Sequence, residues 1–158
     1  MVSNAVYALF PGVAAAEALM EDPYNLKRFI DAQERVFDGA LSELRRGAKS
    51  GHWMWFIFPQ IKGLGFSSTS QRFAIQSLDE ARVYLSHSLL GARLRESTRA
   101  INLVTNRTVE EIFGSPDDMK FKSSMTLFAH ATTDNECFTQ ALQKYFDGDF
   151  DQRTLDRL

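Results

Sequence analysis

Helix-start signals recur at short intervals along this chain, and clean two-residue alternation is almost missing. Together these leave it little but a helical fold. Asp22-Pro23 reads as an N-cap followed by proline at the first helical position. Ser77 with Glu80, and Thr108 with Glu111, have the spacing of capping boxes. Ser115-Pro116-Asp117-Asp118 combines a cap, a proline and two carboxylates on the positive end of a helix dipole. Gly47 is placed to end one helix, and Asp134 and Gly148 bound a later one. Leu26, Phe29 and Ile30, then Phe37, Leu41 and Leu44, fall near helical spacing with a break around residues 33–36. Leu90, Leu94, Ile101 and Val104 line one side of a longer helix. The Asp-Gly pairs at Asp38 and Asp147 sit inside helical patterns, so they do not read as hairpins. The expected fold is mainly α, a single compact multi-helix domain of about six to eight helices over residues 22–158, with a last short helix over Gln152–Leu158. One short buried extended segment is expected around Trp53–Phe58, which is apolar on both faces.

Composition narrows the function classes. A chain of 158 residues, 44% hydrophobic and 24% charged, is most simply one globular domain, and thirteen phenylalanines predict a core rich in rings. A net charge of -2 argues against a nucleic-acid partner, which needs an excess of clustered Lys and Arg. The lone Cys137 excludes an internal disulfide and a Cys-rich zinc site, and points to a reducing, cytoplasmic setting. Residues 1–21 read as an N-terminal extension with a short helix over Val13–Met20. The apolar run there is broken by Pro11-Gly12 and no Lys or Arg precedes Lys27, so neither a signal peptide nor a membrane partner is expected. No P-loop, H-E-x-x-H, G-x-S-x-G or C-x-x-C stands in the chain. His52, His87 and His130 have no ligand spacing, and Gly63-Leu64-Gly65 lacks the third glycine of a dinucleotide fingerprint. No metal and no cofactor are therefore expected.

The stretch "HWMWFIFPQIKGLGFSSTSQR", residues 52–72, is where a site is expected. Phe56, Ile57 and Phe58 are core residues, whereas indoles carry an N–H that favours the border between apolar and wet surroundings. In a strand Trp53 and Trp55 share one face and make a two-ring wall; in a helix they stand about 200° apart. Beyond Gln60, the Gly-containing turn and Ser67-Ser68-Thr69-Ser70 lead into a helix start flanked by Lys62 and Arg72, a pattern suited to an anion. On the helix after Pro116, Ser123, Thr126 and His130 fall on one face, with Lys120 and Ser124 beside it.

Four blocks, "DPYNLKRFIDAQ", "HWMWFIFPQIKGLG", "SLDEARVYLSHSLLGARLRE" and "IFGSPDDMKFKSSMTLFAH", resemble a bacterial and fungal family catalogued as a domain of unknown function, some of whose members carry the label "calpastatin". The resemblance runs from about Asp22 to the C-terminus. It implies a mainly helical fold and no activity. A calpastatin-like inhibitor is largely disordered before it meets its protease, which does not suit a chain with this many core and cap residues.

The expected function is binding of a small anionic metabolite, nucleotide-like or ADP-ribose-like, in a pocket between residues 52–72 and the helix from Pro116. Trp53 and Trp55 would wall the ring, with Gln60, Lys62, Ser67, Ser68 and Arg72 at the anion and Lys120, Ser123, Ser124 and Thr126 at the hydroxyls. His52, Asp117 and Asp118 are the acid/base candidates if the chain is an enzyme. The alternative is a protein-interaction module, or a homo-oligomer, that docks through the aromatic 53–58 segment.

Overall fold

A computed structural model describes residues 21–158, so the helix expected over Val13–Met20 lies outside the described residues. Ten helices occur among them: α1 Lys27–Gln33, α2 Phe37–Arg46, α3 Met54–Ile57, α4 Ser68–Arg72, α5 Leu78–Ser86, α6 Leu90–Asn102, α7 Val109–Phe113, α8 Asp117–Ala131, α9 Glu136–Phe146 and α10 Gln152–Leu155. The number exceeds the six to eight expected because α3, α4, α7 and α10 have only four or five residues each. No helix among the described residues is long and apolar enough to cross a membrane.

The local signals act mostly where they stand. Ser77 and Thr108 accept from the backbone N–H three residues on, and Glu111 completes a full capping box. Gly47 ends α2 in the left-handed region at φ 69°, where a Cβ would also lie 2.8 Å from Val104. Asp22 does cap, accepting from Leu26 and Lys27 N–H at 2.7 and 3.1 Å. A turn through Asn25 at φ 52° intervenes, however, so Pro23 precedes α1 instead of beginning it. Ser115 makes no cap bond to α8, and α9 is led by Asn135 instead of Asp134. His87 takes up a role no cap motif announced: its Nδ1 accepts from Leu89 and Leu90 N–H at 3.1 and 3.2 Å, which starts α6.

Helix α8 is the centre of the molecule. It packs on α5, α7, α9 and α10, and Phe121, Met125, Leu127 and Phe128 are fully buried. Around it run edge-to-face, stacked and tilted rings: Phe58 on Phe121 at 5.0 Å, Phe113 on Phe121 at 4.8 Å, Tyr84 on Phe128 at 5.4 Å and on Phe29 at 5.1 Å. Helices α5 and α6 cross at Gly91, where a Cβ would meet the Leu85 carbonyl oxygen at 2.0 Å.

The Trp53–Phe58 segment corrects the extended reading. It is one helical turn, with Ile57 N–H donating to the Trp53 carbonyl and Phe58 N–H to that of Met54. A four-residue run that is apolar throughout has no periodicity that separates strand from helix. No strand occurs among the described residues. Ile61 and Ile75 form an isolated parallel bridge, with Lys62 N–H donating to the Ile75 carbonyl at 2.9 Å and Ile75 N–H to that of Gln60 at 2.8 Å.

Candidate functional site

The site begins with the anchor that orients the tryptophans. Glu43 emerges from α2 at the edge of its apolar face, and its carboxylate collects four donors. Ser50 N–H and Oγ–H and Gly51 N–H donate to Oε1 at 2.5, 2.5 and 2.6 Å, and Trp53 Nε1–H donates to Oε2 at 2.7 Å. Burial works against the carboxylate, but these bonds outweigh it and hold its pKa down at about 2. Gly51 is required by proximity, since a Cβ there would stand 2.7 Å from the Trp53 ring. Trp53 is thereby sealed in the core, 1% exposed.

Lys49 lies over Trp53 at 5.1 Å, and its ammonium pairs with Asp117 at 2.9 Å. Asp117 also pairs with Lys120 at 3.2 Å, and Lys120 stands 5.5 Å over the ring of Trp55. A chain of alternating charges and rings thus ties the start of α8 to the aromatic turn. Trp55, two residues on from Trp53, is only half buried.

Trp55 forms part of a cleft of about 210 Å³ beside the Ile61–Ile75 bridge. One wall is the outgoing segment with Gln60, Lys62, Gly63 and Gly65; the other is α4 and the returning segment, with Ser70, Gln71, Phe73 and Gln76. Among the described residues Lys62 is the charged one in this lining, and no carboxylate belongs to it. The lining therefore offers one ammonium, three side-chain amides, a hydroxyl and an indole. Amides both donate and accept, so they match the edges of a polar ring or a carboxylate or phosphate oxygen.

The expected site residues are distributed as follows. Trp55, Gln60 and Lys62 line the cleft, and Lys120 stands over Trp55. Ser67, Ser68 and Arg72 belong to α4 or its cap, exposed, while their neighbours Ser70 and Gln71 face the cleft. Ser67 accepts from Ser70 N–H as an N-cap, and the Arg72 guanidinium lies 5.1 Å over Phe73. His52 is exposed ahead of the turn, and Asp118 accepts from Met119 N–H. The cavity expected between the aromatic segment and α8 forms instead between residues 55–65 and 70–76, because the helical turn rotates the two indoles apart.

The α8 hydroxyls have other partners. Ser123 Oγ–H donates to Asp151 Oδ2 at 2.9 Å, Thr154 Oγ1–H donates to the same oxygen at 2.6 Å, and Asp151 N–H donates to Thr126 Oγ1 at 2.9 Å. This buried network clasps α10 to α8. Ser124 is fully buried beside it in sequence, with no hydrogen-bond partner for its Oγ. Asp151→Ala strands the Thr154 hydroxyl in the interior, leaves Ser123 only the Met119 carbonyl, and is expected to cost about 2 kcal/mol. Urea unfolding measures that loss, and an unchanged midpoint would show the clasp to be idle.

The residues that sequence reasoning missed are Glu43, Gln71 and Gln76, together with Gln33, whose amide bonds the Phe56 carbonyl at 2.7 Å and the Tyr84 hydroxyl at 3.2 Å from a buried position. Gln33 did leave a signal: with Leu26, Phe29 and Ile30 it completes an i, i+3, i+4, i+7 row, a polar residue at a core position. No group of three or more His, Cys, Asp and Glu among the described residues could hold a metal ion. Cys137 is buried and unpaired, and burial pushes its thiol above the ordinary range.

A family described as "Protein of unknown function (DUF1810)" matches residues 23–158. The crystal structure of the conserved hypothetical protein Rv1873 from Mycobacterium tuberculosis is similar at 54% identity and a TM-score of 0.86, over 87% of this chain and 98% of that one. A search of proteins of curated function finds no match.

Proposed function

The chain belongs to the DUF1810 family, a family of unknown function, and on that premise we propose that the cleft beside Trp55 binds a small anionic ligand with a flat polar ring. A nucleotide-like or ADP-ribose-like metabolite presents both features. The observation that supports this most is the lining itself: an indole, three amides and one ammonium, with no carboxylate among the described residues to repel an anion. Size limits how the ligand sits. About 210 Å³ is below the ~300 Å³ at which pockets begin to enclose whole drug-sized molecules. One ring or one acidic group is enclosed, and the rest lies outside along the exposed Lys62 and Arg72. His52, Asp117 and Asp118 stay off the lining, so the proposal is of binding, in a cytoplasmic setting that suits the free thiol of Cys137.

The 53–58 rings have little surface left for a protein partner. Trp53, Met54, Ile57 and Phe58 are buried, and only Trp55 and Phe56 are partly open. Fluorescence titration with nucleoside monophosphates and sugar phosphates tests the ligand reading directly. Ligand is expected to quench Trp55 and leave the sealed Trp53 unaffected, so the signal disappears in Trp55→Phe. Lys62→Ala, at an exposed position, is expected to weaken binding by about tenfold. If every compound leaves both the emission and the melting temperature of the native protein unmoved, the cleft is not such a site.

A further inference from the structure

We propose that α6 pairs with the α6 of a second copy of this chain, antiparallel about a twofold axis, through the row Ala92, Glu96, Arg99 and Leu103. The opposite side of α6 is committed to the core through Leu90, Leu94, Thr98 and Ile101. The row steps by four, three and four residues, so its members share one face. All four are exposed, and Leu103, still in helical geometry at the C-cap, is 81% exposed. A shallow groove of about 440 Å³ runs beside it, lined by Arg45, Glu96, Arg99, Ala100 and Leu103.

The order along the row is small, acid, base, large. Turned antiparallel about its midpoint, it complements itself: Glu96 meets the second copy's Arg99 and Leu103 meets the second copy's Ala92, whose methyl leaves room for it. Parallel pairing would set like charges together and is disfavoured. A strongly acidic partner would meet Glu96, and a strongly basic one Arg45 and Arg99, so the mixed pattern fits its own copy best. Residues 1–20 carry Glu17 as their sole charged side chain, with no Lys or Arg to meet Glu96. The Arg45–Glu96 pair at 3.4 Å is exposed at both ends and costs little to rearrange.

The twelve residues from Ala92 to Leu103 span only about 16 Å of helix, so the contact belongs to the small class of interfaces and the dimer is weak and reversible. Sedimentation velocity of the full chain from about 1 μM to about 1 mM reads it. The sedimentation coefficient is expected to climb toward that of a dimer. Charge reversals are made in an Arg45→Ala background, so that Arg45 does not face the new residue. There Glu96→Arg and Arg99→Glu are each expected to weaken association about tenfold or more, and the two together to restore it. Leu103→Asp is expected to abolish it. All four positions are exposed, and an unchanged melting temperature confirms that folding is intact. A concentration-independent monomer overturns the proposal and leaves the groove to residues 1–20 or to a different protein. Association that ignores both single reversals, or that the double reversal fails to restore, overturns it equally.

Discussion

Arg28→Met is expected to remove about 4 kcal/mol of folding stability, the largest single loss among the polar side chains. Arg28 uses its whole guanidinium. Nε–H donates to the Arg72 carbonyl at 2.9 Å, Nη1 to those of Tyr24 and Asn25 at 2.5 and 2.8 Å, and Nη2 to that of Ala74 at 2.9 Å and to Glu80 Oε2 at 3.0 Å. The group also lies 4.3 Å over Phe29. It binds the turn before α1, the chain between α4 and α5, and α5 itself. Glu80 is 1% exposed, so losing Arg28 leaves a carboxylate buried without its cation. Burial already pushes the Glu80 pKa above the usual carboxylate value, with Arg28 pulling the other way. Without Arg28 the pKa rises further. A raised folded-state pKa favours folding while the group is protonated, so the loss should be largest near neutral pH and shrink as pH falls toward the ordinary Glu value. Arg28→Met/Glu80→Met should recover about half of it, since four carbonyls still lack the guanidinium and only those of Asn25 and Ala74 keep another donor. Equal losses at pH 5 and pH 7, or no recovery in the double variant, would show that the charge pair is not what matters. Arg28 also holds the carbonyls of Arg72 and Ala74, so the variant should loosen the returning wall of the cleft at Phe73 and Gln76.

Glu43→Ala is expected to cost about 3 kcal/mol, roughly 10 °C in melting temperature. It strands the N–H groups of Ser50, Gly51 and Trp53 around an empty position. Glu43→Gln separates charge from shape. The folded carboxylate, with its pKa at about 2, lies below its ordinary 4.5, so its contribution is complete above about pH 4.5 and fades as pH falls toward 2. The stability difference between the native protein and Glu43→Gln, on the order of 2 kcal/mol at pH 6, should therefore close across that window. A difference that stays constant from pH 6 to pH 2.5 would mean that the carboxylate is not held by these four donors. The Trp53 emission should shift to the red in Glu43→Ala, because the ring loses its hydrogen bond and the loop before it loosens.

Both predictions rest on contacts that no local pattern announced, and the reason is distance along the chain. Arg28 and Glu80 are 52 residues apart, Gln33 and Tyr84 51, and Ser123 and Asp151 28. A cap, by contrast, is complete within four residues. That is why Ser77, Thr108 with Glu111 and Gly47 could be placed in advance. Ser123 and Thr126 illustrate the difference well. Mid-helix hydroxyls on one face do need an explanation, and the partner is Asp151 from the far end of the same chain, through its carboxylate at Ser123 and its backbone N–H at Thr126.

The candidate cleft divides along the same line. Trp55, Gln60 and Lys62 were legible because an aromatic turn running into a glycine-containing segment marks an accessible place within a few residues. Gln71 and Gln76 were not, since they reach the cleft only after the chain returns and Ile75 pairs with Ile61.

Sequence by itself determined the helical class, most helix ends and the aromatic character of the core, because each follows from backbone hydrogen-bond needs and burial within one or two turns. Tertiary structure alone decided which tryptophan is sealed and which is open, where the hydroxyls of α8 point, and which wall faces Trp55. Those outcomes depend on which distant polar group reaches a buried donor first, and no local pattern records that competition.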